Sequence, residues 1–264
     1  MHKSTTALYM FGALVRREFR AALLNRFIVL FCTLSLGAGL VPLLIEQTRS
    51  ADATLLFLIQ CVPYLVPVFA LLIGCGVAQA DLEERDFLLS SPIPRGMILL
   101  GKLSALWILF AIAALFLVIP AGFGECGLRE LSILWLYMTG TGGVFLALGL
   151  AIGFSTADRV KALLVALSVW FLFLAGFDLV ALGAASVPAV QGCPGLWTLL
   201  LALNPLDALR VGQLLTAAGI PFDASRMPFL VQWWVGHLGV CFTAVSAGWI
   251  SLGLGWSRWR MEKG

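Results

Sequence analysis

Six long apolar stretches, separated by short polar segments, dominate the chain. Four of them contain no charged residue, namely 27–45, 54–80, 103–124 and 131–157. Two more, 162–190 and 229–257, contain one ionisable residue each, Asp178 and His237. All six are long enough to supply the ~20 residues with which a helix crosses a bilayer. The pattern therefore predicts an all-α membrane protein with six transmembrane helices.

Composition agrees with this prediction and excludes a water-soluble domain. Of the 264 residues, 61% are hydrophobic and only 12% are charged, against about 25% charged residues in soluble proteins. The mean hydropathy is +0.99, so the apolar excess must face lipid. A net charge of +3 on this background gives no reason to expect a nucleic-acid partner. No Ser-His-Asp or paired-carboxylate arrangement occurs in the spans, so we expect no enzymatic activity.

The positive residues are distributed unequally between the two sides of the membrane. Thirteen of the 17 Lys and Arg residues fall on the side that contains both termini: Lys3, Arg16, Arg17, Arg20, Arg26, Arg85, Arg95, Lys102, Arg159, Lys161, Arg258, Arg260 and Lys263. Basic residues near span ends remain in the cytoplasm. We therefore expect a multi-pass protein of the bacterial inner membrane with cytoplasmic termini.

Residues 1–26 form an amphipathic lead before the first span. Apolar residues recur every three or four positions, at Leu8, Phe11, Val15, Phe19 and Leu23. Three basic residues, Arg16, Arg17 and Arg20, lie between them. This spacing predicts a helix lying in the cytoplasmic interface. The alternative is an extension of the first span whose arginines reach back to the interface.

The connector at 81–102 is the most polar internal segment. A run of acidic residues precedes an apolar triplet at 87–89, and two prolines follow. The segment is expected to form a short helix and a turn, although most charge runs are simply solvated loops. Residues 96–102 have the spacing of a P-loop, but Leu103 stands where Ser or Thr must hold magnesium. ATP, if it is used, would be bound by another chain.

The segment 191–228 on the outer side is too apolar for a free loop. Asn204, Pro205 and Asp207 supply an N-cap, a proline at the first helical position and an early acid. We expect a helical hairpin that enters the outer leaflet part-way. Asp178 lies about 24 Å along its span, in the outer quarter of the membrane. It would pair with Arg210 of the hairpin or, alternatively, line a path for cargo or protons.

The six cysteines show no spacing typical of a metal site. Cys126 and Cys193 both fall on the outer side, where a disulfide between them would persist. The Gly149/Gly153 pair in the fourth span permits close helix approach, within the chain or across a dimer. We expect no resident metal and no cofactor in this chain.

This layout resembles the permease subunits of type-2 ABC exporters. In that family an elbow helix, a coupling helix between spans two and three, and re-entrant helices before span six occupy these places. PIPRGMILLGK, at Pro92–Lys102, is similar to the family segment after the coupling helix, although Glu83 and Glu84 replace the usual Gly-Thr. Two stretches, Trp170–Ala184 and Leu199–Arg210, are similar to membrane subunits of NosDFY-type transporters.

The resemblance implies a homodimer driven by a cytoplasmic ABC ATPase, which would hold ATP and Mg, and a periplasmic NosD-like protein. It implies a role in maturation of the copper-sulfur centre of nitrous oxide reductase, by export of a sulfur species or by mechanical action on the periplasmic partner. Alternatives are export of heme, polysaccharide, drug or lipid, or a proton-coupled secondary transporter.

The resemblance, together with the positions of these residues in the chain, suggests two groups of functional residues. Contact with the ATPase would involve Asp81, Glu83, Glu84, Arg85, Asp86, Phe87, Leu88, Leu89, Pro92 and Arg95. Asp178, Asn204, Asp207 and Arg210 would form a polar collar beneath the periplasmic partner or part of a transport path.

Overall fold

The fold is built from helices throughout the described ranges. The computed structural model describes residues 2–23, 25–45, 50–83, 94–191, 194–216 and 229–263. The helices are α1 (His2–Ala22), α2 (Arg26–Leu44), α3 (Ala51–Glu83), α4 (Arg95–Ala121), α5 (Leu128–Ser155), α6 (Arg159–Ala185), α7 (Pro188–Gln191), α8 (Pro194–Leu203), α9 (Pro205–Thr216), α10 (Phe229–Gly236) and α11 (Leu238–Lys263). Within these ranges no β-strand occurs.

Six of these helices, α2 to α6 and α11, are long and apolar enough to cross a membrane. The predicted fold class, an all-α membrane protein with six spans, is therefore confirmed. Two spans depart from regular geometry. Helix α6 contains a π-helical turn at Leu172–Gly176, and the predicted stretch 229–257 is divided at His237 into α10 and α11.

The division at His237 has a local cause. Its backbone N–H donates to the carbonyl of Trp234 at 3.1 Å, and its ring nitrogen Nδ1 lies 2.9 Å from the carbonyl oxygen of Trp233. The side chain thus takes the carbonyl that the backbone N–H of a continuous helix would use. The imidazole also stacks on the Trp233 ring, with 5.0 Å between ring centroids.

Helix α5 forms the centre of the bundle, and close backbone contact joins it to α3. A Cβ atom at Gly149 would lie 2.5 Å from the carbonyl oxygen of Leu71, and one at Gly74 would lie 2.5 Å from that of Leu146. Only glycine permits helices to approach so closely. The predicted contact face at Gly149/Gly153 is therefore used within the chain, between α3 and α5.

A tryptophan compensates for a proline in α3. Pro67 lies inside this helix, and its missing N–H leaves the carbonyl of Pro63 without the usual helical donor. The indole Nε1–H of Trp170 in α6 donates to that carbonyl at 3.2 Å. This bond holds the otherwise exposed α6 against α3.

The spans differ strongly in burial. In the most apolar 18-residue window, 72% of residues are buried in α5, but only 11% are buried in α6 and in α11. In a membrane, α6 and α11 must therefore face lipid or another chain.

Helix α1 is separate from the first span and packs along α4. Asn25 caps α2, since its Oδ1 accepts a hydrogen bond from the backbone N–H of Phe27 at 2.9 Å. The alternative of one continuous helix is therefore not observed. Leu14 lies directly over Gly101, where a Cβ would be 2.6 Å from its Cδ2 atom.

One face of α1 is buried against the bundle. Among its described side chains, the buried ones are Leu14, Glu18 and Ala22, whereas Leu23, just after the helix, is 46% exposed. The apolar stripe was predicted to face lipid, so its placement in the interface stays a prediction. Arg16, Arg17 and Arg20 are exposed, as predicted.

Candidate functional site

The connector between α3 and α4 is described only at its two ends. The predicted contact residues Glu84, Arg85, Asp86, Phe87, Leu88, Leu89 and Pro92 lie outside the described residues, as does the side chain of Glu83. Asp81 and Arg95 are described. We use the term connector end for the end of the bundle at which α3 finishes and α4 begins.

Asp81 belongs to a buried ion-pair cluster. The Lys102 ammonium lies 3.0 Å from each carboxylate oxygen of Asp81 and donates a second hydrogen bond to Glu18. Lys102 is 2% exposed and Glu18 is 8% exposed. These three side chains, the Lys102 cluster, join α1, α3 and α4. Because charges are costly to bury unless they are paired, the cluster fixes the relative positions of these helices.

The Lys102 cluster changes the interpretation of two sequence features. Asp81 is among the residues predicted to contact the ATPase, but its carboxylate is directed to Lys102 within the same chain. Residues 96–102, which imitate a P-loop, lie inside α4, and their lysine is the buried member of the cluster. Glu18, not singled out from the sequence, is an acid between Arg17 and Arg20 on the helix face that also carries Leu14.

Further hydrogen bonds at the connector end join α3 to α5 and α4 to α11. Gln79 is buried and donates through Nε2 to the carbonyls of Gly153 and Thr156, at 2.7 and 2.6 Å. Arg95 Nη1 donates to the carbonyl of Met261 at 3.1 Å. A force on the connector would thus reach α5 and α11 as well as α1.

At the opposite end, Asn204 lies between α8 and α9 and is fully buried. Its Oδ1 accepts from the backbone N–H of Leu206 at 3.1 Å, so it is the N-cap that the sequence predicts. Its Nδ2 donates to the carbonyl of Phe173 at 3.0 Å and to Asp207 Oδ2 at 2.5 Å. Asn204 therefore joins the start of α9 to the π-helical turn of α6.

Three of the predicted collar residues line one cavity. Asp178, Asp207 and Arg210 surround a space of about 430 Å³, with Phe173 and Tyr64 among its apolar walls. The expected pairing of Asp178 with Arg210 is wrong: within the described part of the chain, Arg210 has no carboxylate within 4.0 Å. Instead Arg210 Nη2 donates to Gln60 Oε1 of α3 at 3.2 Å. Arg210 also forms no ion pair with Asp207, three residues before it in α9.

The surroundings of Asp207 in this cavity raise the pKa of its carboxyl. Burial raises the pKa of the Asp207 carboxyl, and the negative charge of Asp178 raises it further. The hydrogen bond from Asn204 and the charge of Arg210 oppose that shift. The cavity thus combines three ionisable side chains with apolar walls at the end of the bundle opposite the connector.

The predicted disulfide cannot be placed, since Cys193 lies outside the described residues. Cys126 is buried, and its Sγ lies 3.5 Å from the carbonyl oxygen of Ala51. The disulfide between Cys126 and Cys193 stays a prediction.

Comparison with known proteins shows the family to which the chain belongs. Residues 46–252 match the family described as ABC-2 family transporter protein. The chain belongs to this family. The match to the ABC-2 family includes the α3–α4 connector, the Asn204 region, the four complete spans α3 to α6 and the first part of α11.

Two relatives carry the name probable ABC transporter permease protein NosY. The protein from Stutzerimonas stutzeri is 29% identical over 260 residues, covering 84% of this chain and 92% of the relative. The protein from Pseudomonas aeruginosa strain PAO1 is 28% identical over 264 residues, with the same shares. These names confirm the likeness to NosY-type membrane subunits that the sequence suggested, and the family match makes the chain an ABC-2 type transporter permease.

Proposed function

We propose that this ABC-2 permease is the non-catalytic membrane subunit of a NosY-like exporter, working as a homodimer with a separate ABC ATPase. The ATPase would hold the ATP and Mg, while this chain carries no cofactor. The family match across residues 46–252 is the observation that carries the proposal. The two NosY relatives support the finer assignment.

The connector is the proposed docking element for the ATPase. Its sequence offers Phe87, Leu88 and Leu89 as apolar anchors among acidic residues, a pattern that suits a helix-in-groove contact. The Lys102 cluster and the bond from Arg95 to Met261 lie at the ends of this segment. They would transmit movement of the connector to α1, α3, α4 and α11 together.

A second copy of the chain would cover the exposed face of α6. Asp178 is exposed on this span, and a carboxylate in contact with lipid tails is costly, by up to roughly 3 kcal/mol at the membrane centre. A partner copy or a polar path between two copies would remove that cost. The burial of only 11% of the apolar window of α6 supports such an interface.

The proposed orientation has the connector and both termini in the cytoplasm of a bacterial cell and the Asn204 region at the periplasmic face. There the cavity of Asp178, Asp207 and Arg210 would lie beneath a NosD-like protein. The system would serve maturation of the copper-sulfur centre of nitrous oxide reductase, by exporting a sulfur species or by acting mechanically on that periplasmic protein.

Co-purification tests the ATPase assignment. Phe87→Asp with Leu88→Asp should abolish capture of the co-expressed ATPase while leaving membrane insertion unchanged. The matched control, Ser90→Asp with Ser91→Asp, adds the same charge to the same segment and should retain the ATPase. Equal capture by both double variants would contradict docking through the apolar triplet.

A gene deletion tests the cargo assignment. In a host that respires nitrous oxide, nitrous oxide reductase purified from the deletion strain should lack the absorption bands of its copper-sulfur centre, and the intact gene should restore them. Normal bands in the deletion strain would disprove the NosY-like role. Substrate movement by the chain alone in liposomes, driven by a pH gradient, would favour a secondary transporter instead.

A further inference from the structure

A basic cavity lies at the connector end, beside the Lys102 cluster. It has a volume of about 500 Å³ and is enclosed by α1, the first turns of α2 and α6, the last turns of α3 and part of α4. Its charged lining residues are Arg17, Arg26, Arg159, Lys102, Glu18 and Asp81. The proposed function assigns no ligand to this cavity.

The charges of this cavity do not cancel. Glu18 and Asp81 are both engaged by Lys102. Among the residues that the structure describes, none lies within 4.0 Å as a carboxylate partner of Arg17, Arg26 or Arg159. Arg26 is placed over the ring of Phe27, 5.1 Å from its centroid, and all three arginines are exposed. Among the described residues, the four basic and two acidic side chains of the lining leave a formal excess of two positive charges, and none of the three guanidinium groups is in an ion pair.

The position and the walls of the cavity indicate the kind of anion that would fit. Arg26 and Arg159 are the first residues of two membrane spans, so their guanidinium groups lie at the depth of lipid headgroups. The rest of the wall is apolar or small, including Gly76, Val77 and Ala80 of α3. Guanidinium groups bind phosphate oxygens in bidentate pairs, and basic pockets between membrane helices receive anionic headgroups.

We propose that this cavity binds the phosphate headgroup of an anionic phospholipid from the leaflet at the connector end. The phosphate would be held between Arg17, Arg26 and Arg159, with the glycerol backbone along the wall of α3. Such a lipid would join α1 to the starts of α2 and α6. These three helices make few direct contacts with one another. The proposal depends on the spans and not on the cargo or the ATPase.

Lipid titration of the full-length chain in neutral detergent tests this proposal. The probes are dioctanoyl phosphatidylglycerol, dioctanoyl phosphatidylcholine and inorganic phosphate, with binding measured by calorimetry. The anionic lipid should saturate a single site and bind at least tenfold more tightly than either of the other two. Arg17→Gln, Arg26→Gln and Arg159→Gln combined should weaken its binding on the order of 100-fold, because each basic residue contributes about fivefold.

A charge-matched control separates the site from general attraction. Arg20→Gln, Lys161→Gln and Arg258→Gln combined remove three exposed positive charges from α1, α6 and α11, outside the cavity, and should change the affinity less than threefold. If the cavity triple variant fails to fold, Arg159→Gln alone should still weaken binding about fivefold.

Three results would overturn the proposal. Equal affinity for the two lipids would exclude recognition of the anionic headgroup. Equal losses in the two triple variants would exclude this cavity. Inorganic phosphate binding as tightly as the anionic lipid would assign the arginines to a free anion.

Discussion

Asn204 and Phe173 are joined by a hydrogen bond of 3.0 Å from the side-chain amide to a backbone carbonyl. Phe173 lies in the π-helical turn of α6, five residues before Asp178. A side chain that bonds to a helix carbonyl from outside is a recognised cause of helix distortion, and π-turns are frequent at functional sites. The bond therefore couples α9 to the part of α6 that positions Asp178.

Two substitutions separate the two roles of Asn204. Asn204→Ser keeps a good N-cap but is too short to reach Phe173, so it should lower the free energy of unfolding by about 1–3 kcal/mol through the unsatisfied buried carbonyl. Asn204→Ala also removes the cap and should cost about 1 kcal/mol more. Unfolding by SDS titration in mixed micelles measures both. Equal losses for the two variants would show that the cap contributes nothing.

Removal of the Lys102 ammonium should strongly destabilise the fold. Lys102→Met leaves Glu18 and Asp81 buried and unpaired, which should lower the free energy of unfolding by about 3–5 kcal/mol. Lys161→Met, at an exposed lysine of α6, is the matched control and should change it by less than about 0.5 kcal/mol.

The triple variant Glu18→Gln, Asp81→Asn, Lys102→Met checks the mechanism. It removes the unpaired charges and should recover more than half of the loss seen in Lys102→Met, because effects within one charge network are not additive. A triple variant no more stable than Lys102→Met would show that the unpaired carboxylates of Glu18 and Asp81 do not cause the loss.

The sequence predicts the spans and the Asn204 cap because both depend on neighbouring residues. Apolar length defines a span, and a cap requires only the residues within one helical turn. The Glu18–Lys102 pair joins residues 84 positions apart, and the Arg210–Gln60 bond joins residues 150 apart. Such partners depend on how helices face one another, which charge spacing does not determine. Arg210 was therefore assigned to Asp178, the acid expected at the same depth.

Close packing of α3 on α5 predicts a contrast between two glycines. Gly149→Ala would place a Cβ 2.5 Å from the carbonyl oxygen of Leu71, and such overpacking should cost about 1–3 kcal/mol. Gly248→Ala, in α11, meets no atom within 4 Å and should be neutral or stabilising by up to about 1 kcal/mol. Thermal denaturation in detergent compares them. An equal loss of stability in Gly248→Ala and Gly149→Ala would show that the close contact of Gly149 with α3 is not the cause.

The raised pKa of Asp207 predicts a pH dependence with a defined sign. Its carboxyl binds a proton more tightly in the folded chain, mainly because it is desolvated. Its contribution to stability is therefore greatest below its unfolded pKa, about 3.9, and is lost as the pH rises through the folded pKa. Relative to Asp207→Asn, the Tm of the wild type should fall as the pH is raised from about 4.

Asp178→Asn tests the second cause of that shift. Removing the negative charge of Asp178 should lower the folded pKa of Asp207 and shift the loss of stability to lower pH. The Tm difference between wild type and Asp207→Asn, followed against pH in each background, gives the shift. An unchanged profile would show that Asp178 does not act on Asp207.

A pair of double-mutant cycles distinguishes the observed partner of Arg210 from the expected one. The hydrogen bond to Gln60 predicts a coupling energy of about 0.5–1 kcal/mol between Gln60→Ala and Arg210→Ala, as for a partly exposed bond. Asp178 lies in the same cavity but makes no ion pair with Arg210. The effects of Asp178→Ala and Arg210→Ala on the free energy of unfolding should therefore add to within about 0.5 kcal/mol. The reverse result, additivity with Gln60 and coupling with Asp178, would mean that Arg210 turns from α3 to α6 in the membrane. Asp178 would then be a structural partner of Arg210, which would argue against a role for Asp178 in a transport path.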